Sequence, residues 1–266
     1  MIGAIIGDIV GSRYEFHNIK TTNFPLFDKK SRFTDDTVMS VAVALGFRQG
    51  ANDPVATREA IIDAMHDLGE RYPRAGYGGR FSHWLHVRSR EPYGSYGNGS
   101  AMRVSSAGWM YTSLHDVEQY AEISASVTHN HPEGIKGAKS VAGAIFMART
   151  GSRKEDIRNY ITSQYGYDLS RTTDEIRPTY EFYETCQDSV PEAIIAFLES
   201  NDYEDAIRKA ISLGGDSDTI GAITGSIADA FYQNIPQWII DEAMNRLDDY
   251  LQKIVIDWQK TYYRSE

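Results

Sequence analysis

The residues best suited to chemistry lie in two acid-rich stretches far apart in the chain, Thr34-Asp35-Asp36-Thr37 and Gly214-Gly215-Asp216-Ser217-Asp218-Thr219. Each sets paired carboxylates among hydroxyls and leads into a small-residue apolar run at helical spacing, Val38 to Leu45 in one case and Ile220 to Ala230 in the other. A helix cap needs only one such side chain to accept a backbone N–H. Two carboxylates at one helix start repel each other unless the helix field or a cation compensates. Two clusters of the same build predict a shared cation site. Glu15, just past the first helix, is a candidate further acid, although a lone glutamate is more often solvated surface. The candidate ligands are then Glu15, Thr34, Asp35, Asp36, Asp216, Asp218 and Thr219. Hard oxygen donors without cysteine point to Mg²⁺, Mn²⁺ or Ca²⁺. Five acids need roughly two divalent ions for neutrality, and ions about 3.5–4 Å apart are a standard hydrolytic arrangement.

Two further segments carry candidate binding groups. Tyr93-Gly94-Ser95-Tyr96-Gly97-Asn98-Gly99 precedes an expected helix from Ala101 to Tyr111, and such glycine spacing lets backbone N–H groups face a phosphate. It matches neither nucleotide-binding fingerprint, because no strand precedes it. On the residues alone it reads first as a structural turn. His129 and His131 sit two apart and could ligate a transition metal, but with no third nitrogen or sulfur ligand in pattern, zinc is the weaker reading.

Composition narrows the class. At 266 residues the chain suits one large domain. A net charge of −10 argues against non-specific nucleic-acid binding and acidic membranes. The single cysteine, Cys186, excludes an intrachain disulfide and a thiolate metal cage, and makes a cytoplasmic location the expectation. No run is long and apolar enough to span a bilayer.

The elements that must position these groups are helices, and no alternating strand pattern competes. Gly3, Gly7 and Gly11 share one face of the first helix, as Gly221 and Gly225 do in the helix after Asp218. Glycine weakens a helix, so such a stripe predicts that the two backbones touch and bring the chain's ends together. Asp53-Pro54 and Pro132 open further helices, Asp116 to Val127 forms another, and Asp202 caps one that ends at Gly214-Gly215. Val190-Pro191 is expected to start a helix to Leu198, and Pro236 to Trp258 to form a single closing helix. Residues 151–189, rich in tyrosine among charges, read as an amphipathic helical excursion or a lid.

Taken together, Gly7-Asp8, Gly11-Ser12 and Glu15, then Phe33 to Thr37, Gly97 to Arg103, Thr128-His129 and Gly214 to Thr219 resemble the ADP-ribosylglycohydrolase family, motif by motif and in order over nearly the whole chain. The resemblance implies a single-domain, all-α orthogonal bundle spanning 1–266, with a binuclear Mg²⁺ centre that Mn²⁺ could replace. Thr34, Asp35, Asp36, Asp216, Asp218 and Thr219 match its metal ligands and Glu15 its mobile metal-linked glutamate. Tyr93 to Gly99 matches its diphosphate-binding loop and His129 its cleft histidine, while Tyr93 departs from the basic residue of some members. The implied reaction is hydrolysis at the anomeric carbon of the distal ribose, releasing ADP-ribose from an arginine, serine or other conjugate. Asp35, Asp36 and Glu15 share the acid, base and metal-holding roles. Residues 151–189 do not match and become a variable rim or lid. The competing readings are a hydrolase of this fold acting on another nucleotide or phosphorylated substrate, and a non-catalytic ADP-ribose-binding member. A monomer is the default.

Overall fold

The computed structural model describes residues 1–263, and every named element in it is a helix. Among the described residues the nearest approach to a strand is an isolated bridge between Gly97 and Thr185. In chain order the helices are α1 (Ile2–Gly11), α2 (Asp35–Gly50), α3 (Pro54–Arg71), α4 (Gly79–His86), α5 (Gly99–Met102), α6 (Ser105–Met110), α7 (Leu114–Ser126) and α8 (Pro132–Arg149). They continue as α9 (Lys154–Tyr165), α10 (Thr173–Ile176), α11 (Cys186–Leu198), α12 (Tyr203–Ser212), α13 (Ser217–Tyr232), α14 (Gln237–Met244) and α15 (Asp249–Tyr262). No helix is long and apolar enough to cross a membrane.

The glycine stripes do what their spacing predicts. Every residue of α1 is buried, and α1 lies along α13 at the centre of the molecule. A Cβ added to Gly3 would stand 2.3 Å from the Gly225 carbonyl oxygen, and one on Gly7 would stand 2.0 Å from that of Gly221. At Gly11 it would lie 2.3 Å from the Ser217 carbonyl oxygen. Only glycine permits that approach, and the approach sets Glu15 beside the Asp216 turn. Around this pair, α2 packs on α3 and α7 on α8, and two caps read from the sequence are in place: Asp53 accepts from Ala56 N at the start of α3, and Asp202 from Asp205 N at the start of α12.

Four elements differ from expectation. The run Ala101 to Tyr111 breaks at Arg103-Val104 into α5 and α6, and the buried Arg103 side chain occupies the corner. The closing helix divides at Asn245–Asp248, where Asp248 accepts from Leu251 N and starts α15; Leu247 is buried across the gap, which preserves the apolar period. Helix α11 begins at Cys186, before Val190, and tolerates Pro191 at the loss of one bond to the Gln187 carbonyl. Helix α4 is absent from the sequence reading, its composition of Gly, Arg, Ser and His hiding Phe81 and Trp84, which are buried in a stack with Trp84 between Phe81 and His66.

Candidate active site

The site is built where α2, α13 and the turn after α1 meet. Asp8, buried in α1, accepts from Thr34 N at 2.9 Å, Thr34 Oγ1 at 2.7 Å and Thr37 N at 3.0 Å, and also from the Thr37 hydroxyl. Those bonds pin the first turn of α2. Thr34 is its N-cap, receiving the Asp36 N–H at 3.3 Å. The capping reading therefore holds for Thr34 and leaves Asp35 and Asp36 unspent. The turn before α13 is held from the other side. Gly214 and Gly215 adopt φ of +74° and +72°, which side-chain-bearing residues avoid. Asn18 Nδ2 donates to Gly215 O at 2.9 Å, and Lys20 Nζ donates to Leu213 O at 2.5 Å and Tyr180 O at 2.6 Å. Asp216 stands at the N-cap position of α13, yet its side chain makes no capping bond. It accepts from Asn98 Nδ2 at 2.7 Å instead.

These turns deliver five acids to one cleft of about 390 Å³. One carboxylate oxygen from each of Glu15, Asp216 and Asp218 lies within 4.8 Å of the others. Thr219 links them to the second pair by donating to Asp36 Oδ1 at 3.3 Å, and Asp35 lines the same cleft. Asp36 Oδ2 is buried with no hydrogen-bond partner. No Lys or Arg forms an ion pair with any of the five among the described residues. Burial, reinforced by mutual repulsion, pushes Asp35 up to about 8 and Glu15 to about 7, and holds Asp36 and Asp218 well above the carboxylate range. As a bare cluster the acids cannot all ionise. A donor set of carboxylates and hydroxyls with an orphaned buried oxygen fits a hard divalent cation.

The opposite wall is the glycine-rich loop. Tyr93, Ser95, Gly97, Asn98 and Gly99 line the cleft, whereas Gly94, Tyr96 and Thr34 lie outside its lining. The N–H groups of Tyr93 and Ser95 donate to Thr128 O, that of Gly94 to Asn130 Oδ1, that of Gly97 to Ser95 Oγ and that of Asn98 to Glu184 O. The loop is thus self-satisfied at those five positions. His129 packs against Gly97 and Gly99 on the same wall, its Nε2 3.2 Å from where a Gly99 Cβ would be. His131 caps α8 and lies outside the site.

Several lining residues were not legible beforehand. Arg80 donates to Tyr93 O and holds its guanidinium 4.8 Å from the Tyr93 ring centroid, which puts a positive charge beside the tyrosine. Buried Arg103 lines the same wall. Phe182 and Glu184, from the 151–189 segment, reach the mouth, and Phe182 stacks on Phe16 at 6.1 Å. An arginine in a Gly/Tyr-rich stretch carries no periodicity that would reveal burial or aim.

Comparison with known proteins gives the same reading from another side. Human ADP-ribosylhydrolase ARH3 is 27% identical over 312 aligned residues, covering 87% of this chain and 84% of that protein. ADP-ribosylarginine hydrolase Tri1 of Pseudomonas putida is 26% identical, covering 90% and 72%. A solved structure titled ADP-ribosylglycohydrolase-related protein complex superposes with a TM-score of 0.66 at 22% identity, over 98% of this chain and 97% of that one, a likeness of fold. With the ADP-ribosylglycohydrolase profile matching residues 1–264, the chain belongs to that family of glycosidic-bond hydrolases.

Proposed function

We propose that the chain is a Mg²⁺-dependent hydrolase that frees ADP-ribose from a modified acceptor by cleaving the bond at the anomeric carbon of the distal ribose. The observation that carries this reading is the meeting of five carboxylates from opposite ends of the chain, without an ion-pair partner among the described residues, in one cleft facing a glycine-rich wall. Glu15, Asp216 and Asp218 would hold one cation; Thr34, Asp35 and Asp36, joined to them through Thr219, would hold a second, with Mn²⁺ a substitute. Thr34 Oγ1 donates to Asp8 and accepts from Asp36 N, and retains lone-pair capacity for this role. Bound there, the ions would supply positive charge for orienting ribose hydroxyls and activating water.

The chain's own groups do the rest. Asn98 fixes the Asp216 carboxylate, and Asp8 fixes the turn bearing Asp35 and Asp36, so the acids present their free oxygens to the cleft. Asp35, Asp36 and Glu15 share proton transfer between water and the departing acceptor. Arg80 and His129 stand on the wall formed by Tyr93 to Gly99, suited to the diphosphate. Phe16, Phe182 and Glu184 rim the mouth where an acceptor would leave, which makes residues 151–189 the candidate determinant of acceptor choice. A reducing, cytoplasmic setting suits the buried Cys186 thiol, and the monomer is the working state.

The test is release of free ADP-ribose from arginine- and serine-linked substrates with Mg²⁺ and again with chelator. Metal-dependent release from one class is the expected result and names the acceptor. Tight ADP-ribose binding without release would replace hydrolysis by a binding role, and release of another phosphorylated product would replace the substrate.

A further inference from the structure

Arg103 presents a physical problem. The residue is 1% exposed, forms no ion pair among the described residues, and leaves Nε without a partner. Burying a cation without a counter-ion is costly; this one lies 5.9 Å over the Phe81 ring and makes two hydrogen bonds. Nη2 donates to Ser124 O at 3.1 Å and to Thr128 Oγ1 at 2.8 Å, which uses both of its protons. Thr128 Oγ1 also lies 2.7 Å from His129 Nδ1. Thr128 is fully buried, and no other hydrogen-bond partner of its hydroxyl is found among the described residues.

The proton inventory then has one consistent solution. A guanidinium can only donate, so Thr128 Oγ1 accepts from Arg103. The hydroxyl's own proton has a single acceptor in reach, His129 Nδ1. With Nδ1 accepting, the neutral imidazole carries its proton on Nε2, the atom that faces Gly97 and Gly99 in the cleft. An imidazolium would need Nδ1 to donate to a hydroxyl already receiving from Arg103, leaving the threonine proton buried and unpaired, which is unfavourable. Burial and the charges of Arg103 and Arg80 press in the same direction, holding the imidazole neutral.

We infer that Arg103 and Thr128 are positioning residues that lock His129 as a neutral Nε2–H donor, aimed at an oxygen acceptor of the ADP-ribosyl group. The ligand named here rests on the function proposed above; the tautomer does not. The relay makes His129 a directional hydrogen-bond donor whose charge does not change near neutral pH, so it neither competes with the acids for protons nor adds positive charge beside them.

The experiment combines imidazole ¹⁵N NMR on the free protein with ADP-ribose titration calorimetry in Mg²⁺, on the wild type, Thr128→Val and Thr128→Ser. Valine is nearly isosteric and removes the hydroxyl; serine keeps it. The expected result is an Nε2–H tautomer for His129 in the wild type and the serine variant, and loss of that fixed tautomer in the valine variant. ADP-ribose binding should weaken about tenfold in the valine variant and recover with serine, the scale of one lost or misaimed hydrogen bond. A wild-type Nδ1–H tautomer overturns the inference, as does a valine variant that keeps both tautomer and affinity. A wild type with the Nε2–H tautomer but no ADP-ribose binding supports the relay and overturns the functional reading.

Discussion

Gly7→Ala tests whether the contact between α1 and α13 builds the site. The added Cβ would lie 2.0 Å from Gly221 O, 2.2 Å from Gly221 C and 2.7 Å from Ala222 N, all backbone atoms that no rotamer change can move. Ordinary contact begins near 3.4 Å, so the helices must part by roughly 3.4 − 2.0 = 1.4 Å at this level. Overpacking costs about 1–3 kcal/mol, and with backbone as the obstacle the upper end applies. Alanine returns about 1 kcal/mol of helix propensity. The net loss is about 2 kcal/mol, or roughly 4 °C in Tm for a chain of this size. Because Glu15 follows α1 while Asp216 and Asp218 open α13, the same separation should weaken Mg²⁺ binding, read by calorimetry. Gly79→Ala is the control, since its Cβ would have nothing within 4 Å; it should melt no lower than the wild type. A Gly7→Ala protein that melts at or above the wild type and binds Mg²⁺ unchanged refutes the argument.

Three other perturbations separate the parts. Asp216→Asn and Asp218→Asn each remove an acid from a buried cluster that cannot fully ionise without a cation, so the metal-free variants should melt no lower than the metal-free wild type while losing both stabilisation by Mg²⁺ and turnover; full turnover would sink the two-cation assignment. Burial raises the Cys186 thiol from about 9 to about 12, so the native state holds its proton where the unfolded chain releases it, and stability falls as pH rises past 9. The Tm difference between wild type and Cys186→Ala should shrink toward pH 10 by the equivalent of about 1.4 kcal/mol, one unit above the unfolded pKa, and a pH-independent difference would contradict it. Phe182→Ala, at the cleft mouth, should change the ratio of arginine- to serine-linked turnover by severalfold and leave ADP-ribose affinity within about twofold; an unchanged ratio removes the 151–189 segment from acceptor choice.

What was legible in the sequence has a common physical reason. Glycines four apart on two helices admit few explanations other than backbone contact, and Asp53-Pro54, Pro132 and Asp202 announce helix starts through capping chemistry that acts within one turn. The acid pairs were legible because two like charges at one helix start need a third party. What was not legible depends on long-range partners. Asn18 and Lys20 sit in a polar loop with no local pattern, and their role exists only because Leu213, Gly215 and Tyr180 arrive 160 or more positions away. Helix α4 fails the periodicity test since its few apolar residues are interspersed with Gly, Arg and His. The break before α15 is invisible because Leu247 keeps the apolar beat across it.

The sharpest distinction the fold draws is between acids that look alike in sequence. Asp8, in the last turn of α1, and Asp36, in the first turn of α2, are both buried carboxylates. Asp8 receives four donors from Thr34 and Thr37, and its pKa rises only to about 6 despite complete burial. Asp36 receives one weak bond from Thr219, keeps an oxygen with no partner, and is driven well above the carboxylate range. Hydrogen bonds to the charged form offset desolvation in the first case and not in the second. Asp8 is therefore complete within the protein and serves as the clamp on α2. Asp36, with Asp35, Asp218 and Glu15, belongs to a buried cluster whose charge the protein itself does not neutralise, so the bare acids hold on to protons. A fold that can saturate one buried carboxylate with four donors has the means to saturate another, and the orphaned Asp36 Oδ2 is the strongest physical support for a cation between the acids.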